Sequence, residues 1–417
     1  MAPGAKVTWP ELFYDLVFAY AFVNVTLTTT SDLDDRVGTL LLVLLLWHLW
    51  ISFVSLGNIV RGDEGPMPFA TLISVGATFL AALDIPNANG PRPHRADFLF
   101  AACYTVVRAA QALLLWDRVR REPHPRPRAL VVVGPTIVNS ALLFAAAGLP
   151  RILPSHIFLI HWTLLGLAVV VAYGALIFLS FPELERISVR HWADRFGQII
   201  LIALGEPIIA LGRAHHLAQS LPPSAPLIGT GALSVAIVAA MAVAYFDTRM
   251  IGGEHALRRA KGGKQVALAR DAYILLHLPM IIGILLFSLG LRNVVAAVAA
   301  PAPAGSAGLQ TTLLLYGGDF VYLAALVGFQ LRTGQPVTKY EIAIRPPLLL
   351  AIPLVAGLPA IVTLTLLTTY TVANTVVRYV RGRPLRSQLR AAARAAHRAM
   401  EAAEAYEHGR EDEPRPG

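Results

Sequence analysis

From Trp9 to Arg378 the chain is a succession of apolar runs, most of them long enough to cross a bilayer, separated by short polar or basic segments. A hydrocarbon core takes roughly 20 helical residues at 1.5 Å each. Runs of that length, repeated along the chain, commit it to the membrane. The composition agrees: 55% hydrophobic and 15% charged, where a soluble domain averages about 25% charged. The expected fold is therefore all-α, a polytopic bundle of transmembrane helices. The runs fall near 9–30, 37–60, 67–85, 96–116, 129–149, 156–180, 195–213, 227–247, 271–292, 311–332, 345–357 and 359–378. The eleventh is short. Leu348 to Thr371 reads alternatively as one long helix kinked at Pro353 and Pro359.

Charge sets the expected orientation. Positive residues accumulate on the cytoplasmic side of a membrane protein. Arg118, Arg120, Arg121, Arg126 and Arg128 lie in one connection, and Arg258, Arg259, Lys261 and Lys264 in another. Arg386, Arg390, Arg394 and Arg398 recur every fourth residue in an Ala-rich tail. They share one face of a helix, which reads as solvated or as lying on an anionic leaflet. The segment 31–36 is acidic and reads as external. With the tail inside, an even number of spans is required, which favours twelve over eleven and puts both termini in the cytoplasm of a bacterial cell. The net charge of +9 then reflects orientation and headgroup contact, and nucleic acid is not an expected partner. The first run opens with Glu11 and Asp15 and has no strongly basic leader, so it reads as a span and not as a cleaved signal. The one cysteine, Cys103, lies in an apolar run and excludes a disulfide framework.

Two echoes suggest an internal repeat. Trp9-Pro-Glu-Leu-Phe-Tyr-Asp opens the first run and Trp192-Ala-Asp-Arg-Phe-Gly-Gln opens the seventh. Ala147-Gly-Leu-Pro150 ends the fifth and Ala356-Gly-Leu-Pro359 the eleventh. Six spans per half would make the repeats parallel, related by an axis along the membrane normal. The expected domains are 1–180, 181–380 and a helical cytoplasmic tail over 381–417.

Three segments resemble a known family. They are Glu11-Leu-Phe-Tyr-Asp-Leu-Val-Phe, Arg195-Phe-Gly-Gln-Ile-Ile-Leu-Ile-Ala-Leu-Gly-Glu206, and Tyr245-Phe-Asp-Thr-Arg249 with His277-Leu-Pro279 downstream. With Trp47-His-Leu-Trp50 and Tyr316-Gly-Gly, they are similar to the bacterial low temperature requirement A family over nearly the whole chain. The resemblance implies an integral membrane protein whose biochemical activity is not established. The chain departs from the family pattern at Pro207, where Ser is usual, and at Ala244, where an aromatic is common.

Ionisable residues inside the runs carry what function the sequence offers, because a charge in hydrocarbon costs at least about 2.5 kcal/mol and needs a partner, a proton or an ion. Glu206 is the foremost, near the centre of an apolar stretch beside Gly205 and Pro207. A proline there frees the carbonyl of Ala203 and is expected to bend or break the helix. Glu206 reads as a cation or proton site, or as a protonated group bonding two helices. Glu11 and Asp15, four apart, share one helix face. Glu11 reads as an interfacial charge, and Asp15 as a structural ion pair or an interior ion site. Arg108 is the expected counter-charge for Asp15 or Glu206, or a ligand for a substrate carboxylate. His277 and Asp319 are further candidates, and His48 and His161 suit a proton relay or a structural hydrogen bond. The tryptophans read as interfacial belts.

No phosphate loop, Cys/His metal spacing, His-Glu-x-x-His or nucleophile elbow occurs in the chain, so no cofactor, metal or enzymatic activity is expected. The expectation is a proton- or cation-coupled secondary transporter for a small solute or ion, with the first and seventh helices lining its path. One alternative is a passive cation channel, since two six-helix halves opening on an acid–Phe–Asp/Gln helix weakly resemble two-repeat endolysosomal potassium channels. The other is a non-transport membrane-homeostasis or scaffold protein.

Overall fold

The computed structural model describes residues 7–28, 33–58, 65–88, 95–119, 125–153, 157–178, 187–217, 224–299 and 306–382, together with 386, 387 and 391. The regular elements are helical throughout. The first half holds α1 (Trp9–Thr28), α2 (Leu33–Gly57), α3 (Met67–Ala88), α4 (Arg95–Val119), α5 (Pro125–Ile152) and α6 (Ile157–Phe178). The second holds α7 (Val189–Leu217), α8 (Ala225–Phe246), α9 (Arg249–Arg259), α10 (Gly263–Leu268), a π-helical turn (Ala269–Leu275), α11 (Leu276–Ala299), α12 (Gly308–Arg332), α13 (Lys339–Ala343), α14 (Pro346–Val355) and α15 (Ala360–Arg381). Among the described residues, ten helical stretches are long and apolar enough to cross a membrane. Most of the helical tail over 381–417, including Arg390, Arg394 and Arg398, lies outside the described residues, as does all or part of each connection at 31–36, 86–95, 117–128 and 299–308.

Burial separates two kinds of helix. α2 is apolar nearly all round and sits inside the bundle, with Leu45, Leu49, Trp50 and Val54 fully enclosed. α6 leaves Leu159, Val170 and Phe178 largely bare, as a helix facing acyl chains would. α1 packs on α3 and α7, and α7 packs on α11 as well. α11 and α12 form the most intimate pair, meeting backbone to backbone. A Cβ on Gly283 would lie 2.5 Å from the amide nitrogen of Tyr322, and one on Gly290 2.7 Å from that of Leu315. Gly318 stands in the same way against the amide of Phe287. Small residues at such positions let membrane helices approach closely.

Two sequence expectations need correction here. Pro207 does not break its helix; α7 runs on to Leu217, since a transmembrane helix tolerates proline where its surroundings satisfy the freed backbone group. The basic connection over 248–270 is not a loop but α9, α10 and the start of the π-turn. That wider turn lies just ahead of Pro279, which lacks an amide for the carbonyl four residues back. The segment from Leu348 to Thr371 is two helices, following the separate runs at 345–357 and 359–378 and not the alternative of one kinked helix. α14 has 10 residues, about 15 Å of rise, half the hydrocarbon thickness. The chain then breaks at Ala356-Gly-Leu-Pro359, where Ala307 N–H donates to Leu358 O (2.8 Å) and Gly308 N–H to Ala356 O (3.0 Å). The start of α14 lies deep in the bundle, because Arg345 Nε donates to Leu323 O, midway along α12. The capping box of α13, in which Thr338 and Glu341 bond each other's backbone amides, fixes the approach.

Candidate functional site

α1 and α7 meet through a ladder of polar pairs. Glu11 faces His191, Asp15 faces Arg195 and Thr26 faces Glu206, and each pair is separated by 180 residues in sequence. One constant offset over four turns of helix requires the two to run parallel and in register. It places Glu11 and Asp15 at the end where both helices begin, the near end, and Glu206 towards the far end.

At the near end both acids are enclosed. Glu11 and Asp15 lie four apart on α1, His191 and Arg195 four apart on α7, and each i,i+4 pair presents one face. His191 Nε2 lies 3.0 Å from Glu11 Oε1. Arg195 donates from NH2 to Asp15 Oδ1 at 2.7 Å and holds NH1 3.8 Å from Glu11. Trp50 of α2 donates its indole N–H to the same Asp15 oxygen at 2.8 Å. Thr8 donates both its amide and its hydroxyl to Glu11 Oε2. A Cβ on Gly57 would collide with Glu11 Oε1, so α2 ends on the small residue this carboxylate requires. Four charged or chargeable side chains with at most 1% exposure thus compensate one another and tie α1, α2 and α7 together. Glu11 is correspondingly enclosed by the bundle at the end where α1 begins.

Glu206 stands in different surroundings. The Thr26 hydroxyl donates to Oε1 and also bonds Val23 O. The Ser288 hydroxyl of α11 faces the carboxylate, whose Oε2, like Asp15 Oδ2 and Asp319 Oδ1, lies beyond hydrogen-bond distance of any partner among the described residues. Arg292, one turn beyond Ser288, lies within electrostatic reach of Glu206 and donates to the carbonyl of Thr26. The group is buried to 1% exposure among hydroxyl oxygens, with one carboxylate oxygen uncommitted. Hard oxygen ligands suit a proton or a hard cation and not a soft metal. Among the described residues no three His, Cys, Asp or Glu side chains gather as a metal site.

The structure does not bring the other candidates to this point. Asp15 and Glu206 are eleven residues apart along the paired helices, about 16 Å of rise. Arg108 of α4 donates to Gln111 (3.0 Å) and Thr136 (3.1 Å), while Arg195 takes Asp15 and Arg292 attends Glu206. His277 is enclosed among aromatics: it stacks on Tyr273, bonds the Tyr245 hydroxyl at 2.9 Å through Nε2 and the Ala272 carbonyl through Nδ1. Its role there is to pin the π-turn to α8. Asp319 accepts from Thr371 at 2.7 Å and lies near Arg345, forming a separate polar cluster at the head of α14. Arg249 completes that region by pairing with Glu341 at 3.0 Å. Trp47, Trp50 and Trp192 are buried and not interfacial, whereas Trp9 and Trp116 are exposed.

His191, Arg195, Thr26 and Arg292 are the residues sequence reasoning passed over. Arg195 sits inside a quoted motif, and its spacing of four from His191 was the available signal: an i,i+4 basic pair opening the seventh run to match the i,i+4 acidic pair opening the first.

Comparison with known proteins agrees with these motifs. A protein of Rhizobium meliloti (strain 1021), named only as uncharacterised, is 24% identical over 218 residues, spanning 50% of this chain and 51% of that protein. The chain thus spans about half the length of the curated relative it matches. The family described as bacterial low temperature requirement A protein (LtrA) matches residues 6–376, a stretch that contains every element from α1 to α14 and most of α15. The chain belongs to the bacterial low temperature requirement A family.

Proposed function

We propose that this protein is a proton- or cation-coupled secondary transporter of the bacterial cell membrane, in which Glu206 carries the coupling ion. It is a carrier and not an enzyme. The observation that carries this reading is the setting of Glu206: buried at the meeting of α1, α7 and α11, bonded by the Thr26 hydroxyl and faced by that of Ser288, where Asp15 and Glu11 are bonded by a guanidinium and an imidazole. A carboxylate so placed is retained at a cost of a few kcal/mol unless it does something. Glu11 and Asp15, ion-paired with His191 and Arg195, serve as the latch between halves. Arg292, in place of Arg108, is the counter-charge.

The same reading has twelve crossings in two parallel six-helix repeats, 1–180 and 181–380. Helix neighbours support it. α1 on α3 corresponds to α7 on α11, α3 on α4 to α11 on α12, α4 on α5 to α12 on α14, and α2 on α6 to α8 on α15. α1 and α14 join the ten longer stretches, α14 as a half-length helix completed by the segment around α13. Broken helices of this kind are recurrent in secondary transporters, where they form substrate and ion sites. The basic residues of α9 and α10 lie by the start of α7, where Met250 packs at Gly197. That favours a cytoplasmic near end and, with it, cytoplasmic termini.

The test is ion flux in proteoliposomes under a clamped membrane potential, read from a pH dye in the lumen. Proton movement above protein-free vesicles supports the carrier, and its absence under every imposed gradient favours the scaffold, a reading the dry Asp15–Arg195 latch also fits. Conductance at the throughput of a pore would favour a channel.

A further inference from the structure

A crevice of about 450 Å³ opens at the far end between α1, α2, α11 and α12, within the range of about 300–1,000 Å³ typical of small-molecule sites. Its lining is graded in polarity, and three helices give the same gradient independently. On α2, Arg36 and Thr39 stand at the outer end and Leu40 and Val43 up to two turns deeper. On α11, Arg292 and Asn293 are outermost, with Leu289, Leu286 and Ile282 successively deeper. On α12, Gln310 precedes Leu314 by one turn. The crevice therefore has a cationic, hydrogen-bonding mouth and an aliphatic floor about 10 Å further in. Val37 and Leu40 on one lip and Leu309 and Leu313 on the other are all more than 40% exposed. In a bilayer these positions face acyl chains, so the crevice opens sideways into lipid as well as towards the headgroups.

We propose that this crevice binds an anionic phospholipid of the far leaflet, its phosphate between Arg36 and Arg292 and part of one acyl chain against Ile282, Leu286 and Leu314. Two guanidinium groups supply the charge complement, and basic clefts between transmembrane helices are suited to lipid head groups. A soluble anion would use the mouth but leave the floor unmatched. The site stands apart from the transport reading, although Arg292 touches both: the arginine that would hold the phosphate also holds the carbonyl of Thr26, the residue bonded to Glu206.

The experiment is native mass spectrometry of the full purified chain with dioleoyl phosphatidylglycerol, dioleoyl phosphatidylcholine, a dihexanoyl phosphatidylglycerol and inorganic phosphate. The expected result is retention of one phosphatidylglycerol with a preference of about thirtyfold over phosphatidylcholine, the size two arginines provide near a surface. Arg36→Gln removes most of that preference. Leu286→Trp, which fills the floor, weakens the long-chain lipid and spares the short-chain one. Arg36→Gln is the primary variant because Arg292→Gln also strips the Thr26 contact, and a gel-filtration profile checks that each variant is folded. Equal retention of the two long-chain lipids, or a preference undiminished in Arg36→Gln, overturns the site. Competition by inorganic phosphate as effective as by the long-chain lipid overturns the assignment to lipid.

Discussion

Asp15 and Glu206 are both buried carboxylates in apolar helices, yet their partners differ: a guanidinium and an indole for Asp15, hydroxyls for Glu206. Asp15 shares one oxygen between a guanidinium and an indole, and removing either ion of such a pair leaves an uncompensated charge. Arg195→Met is therefore expected to lower stability by about 3–5 kcal/mol, while Asp15→Leu with Arg195→Met together recovers much of the loss; chemical denaturation in detergent micelles measures both. A double variant no more stable than the single one would contradict the latch. The sequence made both acids visible, because charges in apolar runs are conspicuous. It did not reveal their partners. Arg108 was the more obvious counter-charge, lying within a span, whereas Arg195 sits near the start of its helix and becomes interior only because α1 and α7 align at a constant offset. Arg292 was hidden in the same way, at the end of its run.

The existence and order of the helices were legible, since hydrocarbon thickness fixes how many apolar residues each needs, but the bounds were not: α7 begins six residues before its predicted run and α11 ends seven beyond its own. What else pattern alone missed lay at prolines and at contacts. Pro207 is absorbed within α7, Pro279 is preceded by a π-turn, and the prolines flanking α14 leave it half a span long. Breaker chemistry flags each position but cannot decide among kink, bulge and break, which depends on the neighbours that take up the freed carbonyl. The α11–α12 seam gives a direct check on packing. Gly318 and Gly317 are adjacent, but a Cβ on Gly318 would strike the α11 backbone and one on Gly317 would meet nothing within 4 Å. Gly318→Ala should cost about 1–3 kcal/mol through overpacking, whereas Gly317→Ala should be neutral or stabilising by up to about 1 kcal/mol through helix propensity. Thermal unfolding of the two variants separates them, and equal shifts would refute the seam.

At the scale of the whole molecule, the parallel α1–α7 pair and the basic near end support the proposed topology, in which several helix neighbours recur between the halves while the α5–α6 contact has no match between α14 and α15. That topology makes a labelling prediction. In a Cys103→Ser background, a membrane-impermeant maleimide applied to intact cells should label Gln310→Cys and not Lys264→Cys, both exposed at opposite ends; the reverse pattern would invert the orientation. On the proposed carrier reading, Glu206, at the meeting of α1, α7 and α11, is the ion site. The decisive measurement pairs two readouts on one variant. Glu206→Gln keeps an oxygen to accept from Thr26 and removes only the ability to ionise, so unfolding free energy should change by less than about 1 kcal/mol while proton flux into proteoliposomes falls to the protein-free level. Flux equal to that of the unaltered protein, or a loss of flux matched by an equal loss of folded protein, would contradict the coupling role of Glu206.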